Sequence, residues 1–317
     1  MIIKIAKWLL LLLAFKMAAA FVVAQFYTDP RRDIAARQQL CRAFNPNVVF
    51  IGTSRTLYGI EPALFDSLNG GQTRSYNAGL FSLSPYSSIE IAKDLLANNP
   101  AVKTIYIELS ALDYSTVALP PQQVIPDAIF RARTLAGSPG ARFQENAAGF
   151  LDGLNTTLFQ MLSIAPQVLS VKKALHPDND PIEGQPDLQQ NGHQSVAASL
   201  SKTNERLIAN QSATDRLFAL AGKQAPNAWY ISQIHKLVDQ SRRLGRKVVF
   251  YYPNSITAGE YKILSQVAPF LPEANLIPPP GHALRNALFR PENLFDPHHL
   301  NRKGAAIYTR YLQSRAK

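Results

Sequence analysis

The chain has 317 residues, of which 46% are hydrophobic and 17% charged, and it carries a formal net charge of +11. That composition excludes a disordered polypeptide, and the length allows a core that needs no covalent or metal staple. The lone cysteine, Cys41, excludes an intrachain disulfide, and no Cys/His cluster has zinc spacing. The basic excess favours anionic partners such as membrane surfaces or acidic glycans. Its densest pairs, Arg31–Arg32, Lys172–Lys173 and Arg242–Arg243, are scattered, and no nucleic-acid motif surrounds them. A solvated surface, with no nucleic-acid partner, is the expectation.

Residues 1–26 read as a transmembrane anchor or a signal segment. Lys4 and Lys7 precede the apolar run Trp8–Phe15, Lys16 interrupts it, and Met17–Phe26 resumes it. At ~1.5 Å per residue, about 19 such residues nearly span a hydrocarbon core. Small residues around Val22-Val23-Ala24 keep signal cleavage open as the alternative. Both readings export the rest of the chain and place it on the periplasmic or extracytoplasmic side of the membrane. Residues 27–44 are polar and suit a stalk or a leading helix.

From about residue 45 the pattern is βαβ. Val48–Ile51, apolar throughout and ending at Gly52, predicts a central parallel strand. A second strand is expected near Arg74–Asn77, ending at Gly79. A helix capped by Ser82 or Ser84 follows, with Ile89, Ala92, Leu95 and Leu96 on one face and a stop at Asn98-Asn99-Pro100. Val102–Leu109 alternates as a third strand. Residues 115–225 break the rhythm with prolines and a polar stretch from His176 to Gln194. They read as an insertion with helical pieces near 142–170 and 196–221, either a lid or an excursion without function. The sheet pattern then resumes: a helix over Trp229–Leu244, a strand over Lys247–Tyr252, a helix near 257–270 and a last helix over Lys303–Ser314. The expected fold is a three-layer α/β/α sandwich on a parallel, flavodoxin-like sheet, occupying residues 45–317.

Open parallel sheets bind ligands beyond the carboxyl ends of their strands. The residues there are Gly52-Thr53-Ser54-Arg55, Asn77-Ala78-Gly79 and Leu109-Ser110, with Asp113 nearby and Asp296-Pro297-His298-His299-Leu300-Asn301 late in the chain. A serine nucleophile needs a base within hydrogen-bond reach, and the base needs an orienting carboxylate. Asp296 and His299, three residues apart, can supply both to Ser54. The backbone N–H groups of Ser54 and Gly79 are the candidate oxyanion donors. The α/β-hydrolase elbow G-x-S-x-G is not met, because Thr56 holds its fifth position. His298 is a candidate for surface or substrate contact. Arg55 suits an anionic substrate group or a structural salt bridge.

These blocks resemble the SGNH/GDSL hydrolase superfamily. Gly52–Arg55 stands where that family has G-D-S-x, Asn77-Ala78-Gly79 matches N-x-G, and Asp296–Asn301 matches D-x-x-H-L-N, followed by Gly304. Thr53 in place of the usual Asp is similar to membrane-anchored export-side members, including proteins that assist teichoic acid D-alanylation and relatives of alginate O-acetyltransferases. The resemblance implies the SGNH fold, with Ser54, Asp296 and His299 as the triad and Ser54 and Gly79 in the oxyanion hole. Asn77, with Arg55 and His298, is assigned to the substrate side. The family's third block, G-x-N-D, is replaced by Glu108-Leu109-Ser110, so either Ser110 donates in place of the missing Asn or the hole has only two donors.

The resemblance further implies an esterase or O-acyltransferase acting on acyl esters, acetyl esters foremost, of a cell-envelope polysaccharide or wall polymer. It implies no cofactor, and a membrane-bound acyltransferase is a possible partner. The alternatives are a non-catalytic glycan-binding or assembly protein on a degenerate version of the fold, and a lipase or thioesterase with an apolar lid.

Overall fold

The computed structural model describes residues 2–26, 29–110, 121–137, 188–220 and 224–316, with isolated positions between 143 and 175. Five parallel strands form one sheet: β1 (Val48–Gly52), β2 (Ser75–Gly79), β3 (Thr104–Glu108), β4 (Lys247–Tyr251) and the two-residue β5 (Leu276–Ile277), in the order β2-β1-β3-β4-β5. Strand β1 lies between β2 and β3, with Val48 opposite Ser75 on one side and Thr104 on the other. The sheet order changes direction at β1, and the crevice beyond its carboxyl end is where such sheets bind ligands.

The strands are apolar on both faces because helices cover both. Val49, Ile51, Ile105, Ile107, Val248 and Phe250 pack toward α5 (Pro85–Asn98), α8 (Ala228–Arg243) and α9 (Ala258–Val267). Their neighbours Val48, Phe50, Tyr106, Val249 and Tyr251 pack toward α4 (Pro62–Leu68), α10 (His282–Leu288) and α11 (Arg302–Arg315). Two-residue periodicity makes each strand contribute to both cores. Ser84 caps α5, accepting the N–H of Ser87, and Asn227 caps α8 in the same way.

Three segments add to the sequence expectation: the leading-helix alternative before β1, the end of the insertion, and the helix expected within residues 196–221. Residues 34–44 form α2 (Ile34–Phe44), and Ile34, Arg37 and Cys41 are buried in the folded body, so this stretch is no free-standing stalk. Arg37 donates to Gly79 O (2.6 Å) and Gly192 O (3.2 Å), tying α2 to the edge strand β2. Burial pushes the Cys41 thiol up to about 12, which leaves it unreactive.

The second segment is the described end of the insertion, residues 188–200, which closes the β2 edge. Asn77 N–H donates to Asn191 O (2.8 Å), Gln194 N–H to Leu57 O (3.2 Å) and Arg302 N–H to Val196 O (2.8 Å). The third is α7 (Glu205–Ala219), which docks through buried Leu207, Thr214 and Phe218 and an Asp215–Arg285 ion pair at 2.8 Å. Helix α6 (Pro121–Ala136) and β5 were not anticipated; Asp113 and most of residues 142–170 lie outside the described residues. A separate helix, α1 (Ile2–Phe26), contains an apolar stretch Ile3–Val23 that is long enough to cross a membrane and is not buried against the rest of the chain.

Candidate functional site

The turn after β1 is built by a helix cap, a carboxylate from the neighbouring strand and a glycine. Thr53 is the N-cap of α3 (Ser54–Gly59), which puts Ser54 on the first helical residue beyond the strand. Glu108, at the end of the neighbouring β3, lies beneath this turn. Its carboxylate accepts from Thr53 N–H (3.1 Å), Thr53 Oγ1 (2.8 Å), Thr56 Oγ1 (2.5 Å) and Arg55 Nη2 (2.9 Å). Gly52 is obligatory for this approach: a Cβ there would lie 2.0 Å from Thr56 Oγ1 and 2.6 Å from the Glu108 carboxylate.

The late block is a tight loop closed by a bridge between Leu294 and Leu300. Asp296 Oδ1 accepts the N–H groups of His298 (2.7 Å) and His299 (2.9 Å), and its Oδ2 lies 2.8 Å from His299 Nδ1. His299 Nε2 lies 2.8 Å from Ser54 Oγ. The imidazole is held by stacking on Phe295 (ring centroids 5.6 Å apart) and by the edge of Tyr58 (5.3 Å). Asn301 anchors the loop's exit: it caps α11 and donates to Ala198 O, Ser199 Oγ and Glu292 O. Gly304 lets α11 approach Asn293, since a Cβ would lie 2.2 Å from Asn293 O.

Burial alone would raise the Asp296 carboxyl. Hydrogen bonding and charge from the His299 ring, with the two backbone N–H groups, outweigh it and hold the acid below its ordinary range. Asp296 is therefore an ionised acceptor at neutral pH, which fixes the His299 proton on Nδ1 and leaves Nε2 facing the serine.

Ser54 and His299 open into a cavity of about 660 Å³. Its far walls are Arg32 and Phe81 on one side, Asn210 and Thr214 of α7 on another, and Thr257 at the start of α9. The insertion thus supplies a fixed wall of the cavity through α7.

Three sequence-assigned residues are placed differently from expectation, and a fourth, Arg55, takes one of its two expected roles. Gly79 N–H is already bonded to Asn77 Oδ1 at 2.9 Å, and α3 crosses so closely that a Cβ on Gly79 would lie 2.4 Å from Leu57 N. It is a close-approach glycine, with its amide spent. Asn77 is fully buried, and its Nδ2 donates to Thr56 O (2.7 Å) and Ile60 O (2.8 Å), so it braces α3 from behind and does not face substrate. Ser110 is buried, outside the cavity lining, and its Oγ has no partner among the described residues.

Arg55 lies on the cavity floor with its guanidinium committed. Nη2 contacts Glu108 (2.9 Å) and Glu260 (2.5 Å), and Nη1 donates to Ser255 O (2.6 Å), so the salt-bridge alternative describes it. Glu260 in turn forms a capping box with Thr257, which couples the Ser54 turn to the loop that begins α9.

His298 does line the cavity. Its Nε2 accepts from Arg206 Nη2 at 2.9 Å, and desolvation first, then neighbouring cations, hold the ring below the ordinary histidine value despite Asp296. The Ser54 N–H makes no hydrogen bond among the described residues and remains available to an oxyanion. Ser82, expected only as the alternative cap to Ser84, does not cap the helix; it lines the cavity with a left-handed backbone (φ 54°). No local signal marks it, because serine gives no hint of positive φ.

Fold and site together define a parallel α/β protein that carries a serine–histidine–carboxylate series at the sheet's crevice. Among the described residues no group of three His, Cys, Asp or Glu side chains is arranged to hold a metal ion. The chain matches no protein-family model, no curated protein and no solved structure.

Proposed function

We propose that this chain is a membrane-anchored serine esterase or O-acyltransferase of the SGNH/GDSL type, its reacting domain on the extracytoplasmic side, acting on acyl esters of an envelope polysaccharide or wall polymer. The observation that carries the reading is the unbroken series Ser54 Oγ–His299 Nε2 (2.8 Å) and His299 Nδ1–Asp296 Oδ2 (2.8 Å), open to a cavity. In this reading Ser54 Oγ attacks the acyl carbonyl while His299 Nε2 takes its proton. The tetrahedral oxyanion faces the Ser54 N–H. Collapse breaks the ester bond, and His299 returns the proton to the departing alcohol oxygen. Water or an acceptor hydroxyl then attacks the acyl-serine, and the same histidine first accepts and then returns the proton. Asp296 keeps the imidazole in the productive tautomer throughout.

The polymer substrate is supported by the apolar N-terminal helix and the family resemblance, and a membrane-bound acyltransferase would be the natural donor of acyl groups. A fluorophosphonate probe tests the chemistry: it should label the wild type and not Ser54→Ala, and equal labelling of both would remove the serine from the reaction.

One observation favours a second reading, a non-catalytic glycan-binding protein. With the Gly79 amide taken by Asn77 and Ser110 outside the cavity, the oxyanion site is short of donors, and each missing donor costs about 10²–10³ in rate. Full restoration of polymer modification by Ser54→Ala in a deletion strain would favour that reading.

A further inference from the structure

We infer that the cavity beside Ser54 has an anion-recognition subsite, centred on Arg32 in its wall, which takes a carboxylate or phosphate on the molecule whose acyl ester is processed; the processing rests on the serine reading above, the subsite does not.

The charges around the cavity are unevenly matched. Asp29 faces two guanidinium groups. Arg31 takes its Oδ1 through both Nε (2.9 Å) and the backbone N–H (2.9 Å). Arg32 stays 3.7 Å from Oδ2, beyond hydrogen-bond length, and its Nε is buried without a hydrogen-bond partner among the described residues. Asp29 is thus held at hydrogen-bond length by Arg31 and only at ion-pair distance by Arg32. The Arg32 guanidinium lies 4.5 Å from the centroid of Phe81, which lines the same cavity, and Phe81 N–H donates to Arg31 O at 2.9 Å. The stack fixes the plane of the fork, and a guanidinium held flat on an aromatic ring still offers its edge donors to an oxyanion.

Near the Ser54 turn the carboxylates of Glu108 and Glu260 both engage Arg55. An anion beside Arg32 meets its guanidinium, whereas one beside the Ser54 turn lies closer to those two carboxylates. That difference sets the uncharged acyl ester toward Ser54 and the anionic group toward Arg32.

The test uses the full chain in detergent as the non-reacting Ser54→Ala protein. It is titrated calorimetrically with methyl glucoside, methyl glucuronoside and methyl glucoside 6-phosphate. At least one charged sugar should bind ten-fold or more tightly than the neutral one, with an advantage that shrinks as salt is raised, and the two charged arms separate carboxylate from phosphate recognition. Adding Arg32→Gln should bring the ratio close to one; Arg32→Lys, which keeps the charge and loses the fork, should retain part of it. Equal binding of all three sugars, or a preference that survives Arg32→Gln in a protein with an unchanged melting profile, would overturn the inference. Acetate release from an acetylated methyl glucoside by wild type and not by Ser54→Ala tests the serine reading separately.

Discussion

Glu108 sits where the sequence offered no donor for chemistry, and its removal is the most informative perturbation of the site. In Glu108→Gln the shape is retained while one acceptor oxygen becomes an NH₂ group. If the remaining oxygen keeps the Oε2 position, it still serves Thr53 N–H and Thr56 Oγ1, which lie 3.1 and 2.5 Å from it. The new NH₂ then faces Arg55 Nη2 at 2.9 Å, donor against donor, and Arg55 cannot rotate away because Glu260 and Ser255 O hold it. Reversing the amide moves the conflict to the Thr53 N–H.

Breaking one partner of a buried charge pair costs 3–5 kcal/mol in the general case, and Glu260 retains part of the pairing here, so the expected loss is about 3 kcal/mol. For a domain of this size that lowers the melting temperature by roughly 6–12 °C. The assay is thermal unfolding of the full chain in detergent, followed by circular dichroism, with fluorophosphonate labelling of Ser54 measured at a temperature where both proteins are folded. Labelling should slow as well, because the same carboxylate fixes the Thr53 amide and thereby the Ser54 turn. A variant that melts within about 2 °C of wild type and labels at the same rate would refute the claim that Glu108 holds this turn.

Asp296→Asn should reduce turnover of an acetyl ester by roughly 10³–10⁴-fold with little effect on KM, because the ring loses its tautomer control; steady-state kinetics check this. Gly192→Ala should destabilise the protein by several kcal/mol, since Gly192 has φ 82° and a Cβ would lie 2.1 Å from Asn77 O; chemical denaturation reads the loss. His193, almost fully buried, is held at about 4 by desolvation first, with Arg302 adding to the depression and the Tyr58 carbonyl opposing it. A histidine kept neutral in the fold contributes stability that is fully present above the unfolded value of 6.5 and is lost as pH falls toward 4. Wild type should therefore lose on the order of 3 kcal/mol more than His193→Gln between pH 7.5 and 4, measured by denaturant titration at each pH.

The residues that sequence revealed and those it hid differ in what fixes them. The strands near 48, 102 and 247 and the helices after 84 and 228 follow from periodicity and caps, which are local, and they stand within a residue or two of expectation. The Asp296–His299 spacing is also local: a tight loop brings carboxylate and imidazole together whatever surrounds them. Gly79 misled because its neighbour two positions back turns its own side chain onto that amide, a choice no motif records. Glu108 was invisible as a support because its partners lie more than fifty positions earlier in the chain and are met only when β1 and β3 pair. The docking of α7 was equally hidden, since Leu207 and Thr214 look like any amphipathic surface until α9 and α10 are packed beside them.

Only six positions separate Phe26, the last residue of the apolar helix, from Arg32 in the cavity wall. Fully extended, they reach about 20 Å, and the turn at residues 30–32 shortens that. When α1 crosses a bilayer, the part of the cavity wall that carries Arg32 stays within that distance of the membrane end of the helix. Anything that emerges from the same leaflet arrives by lateral diffusion in a thin layer, where encounter is frequent. A thick hydrated polymer mesh beyond that layer is out of reach except where a strand of it dips to the lipid surface.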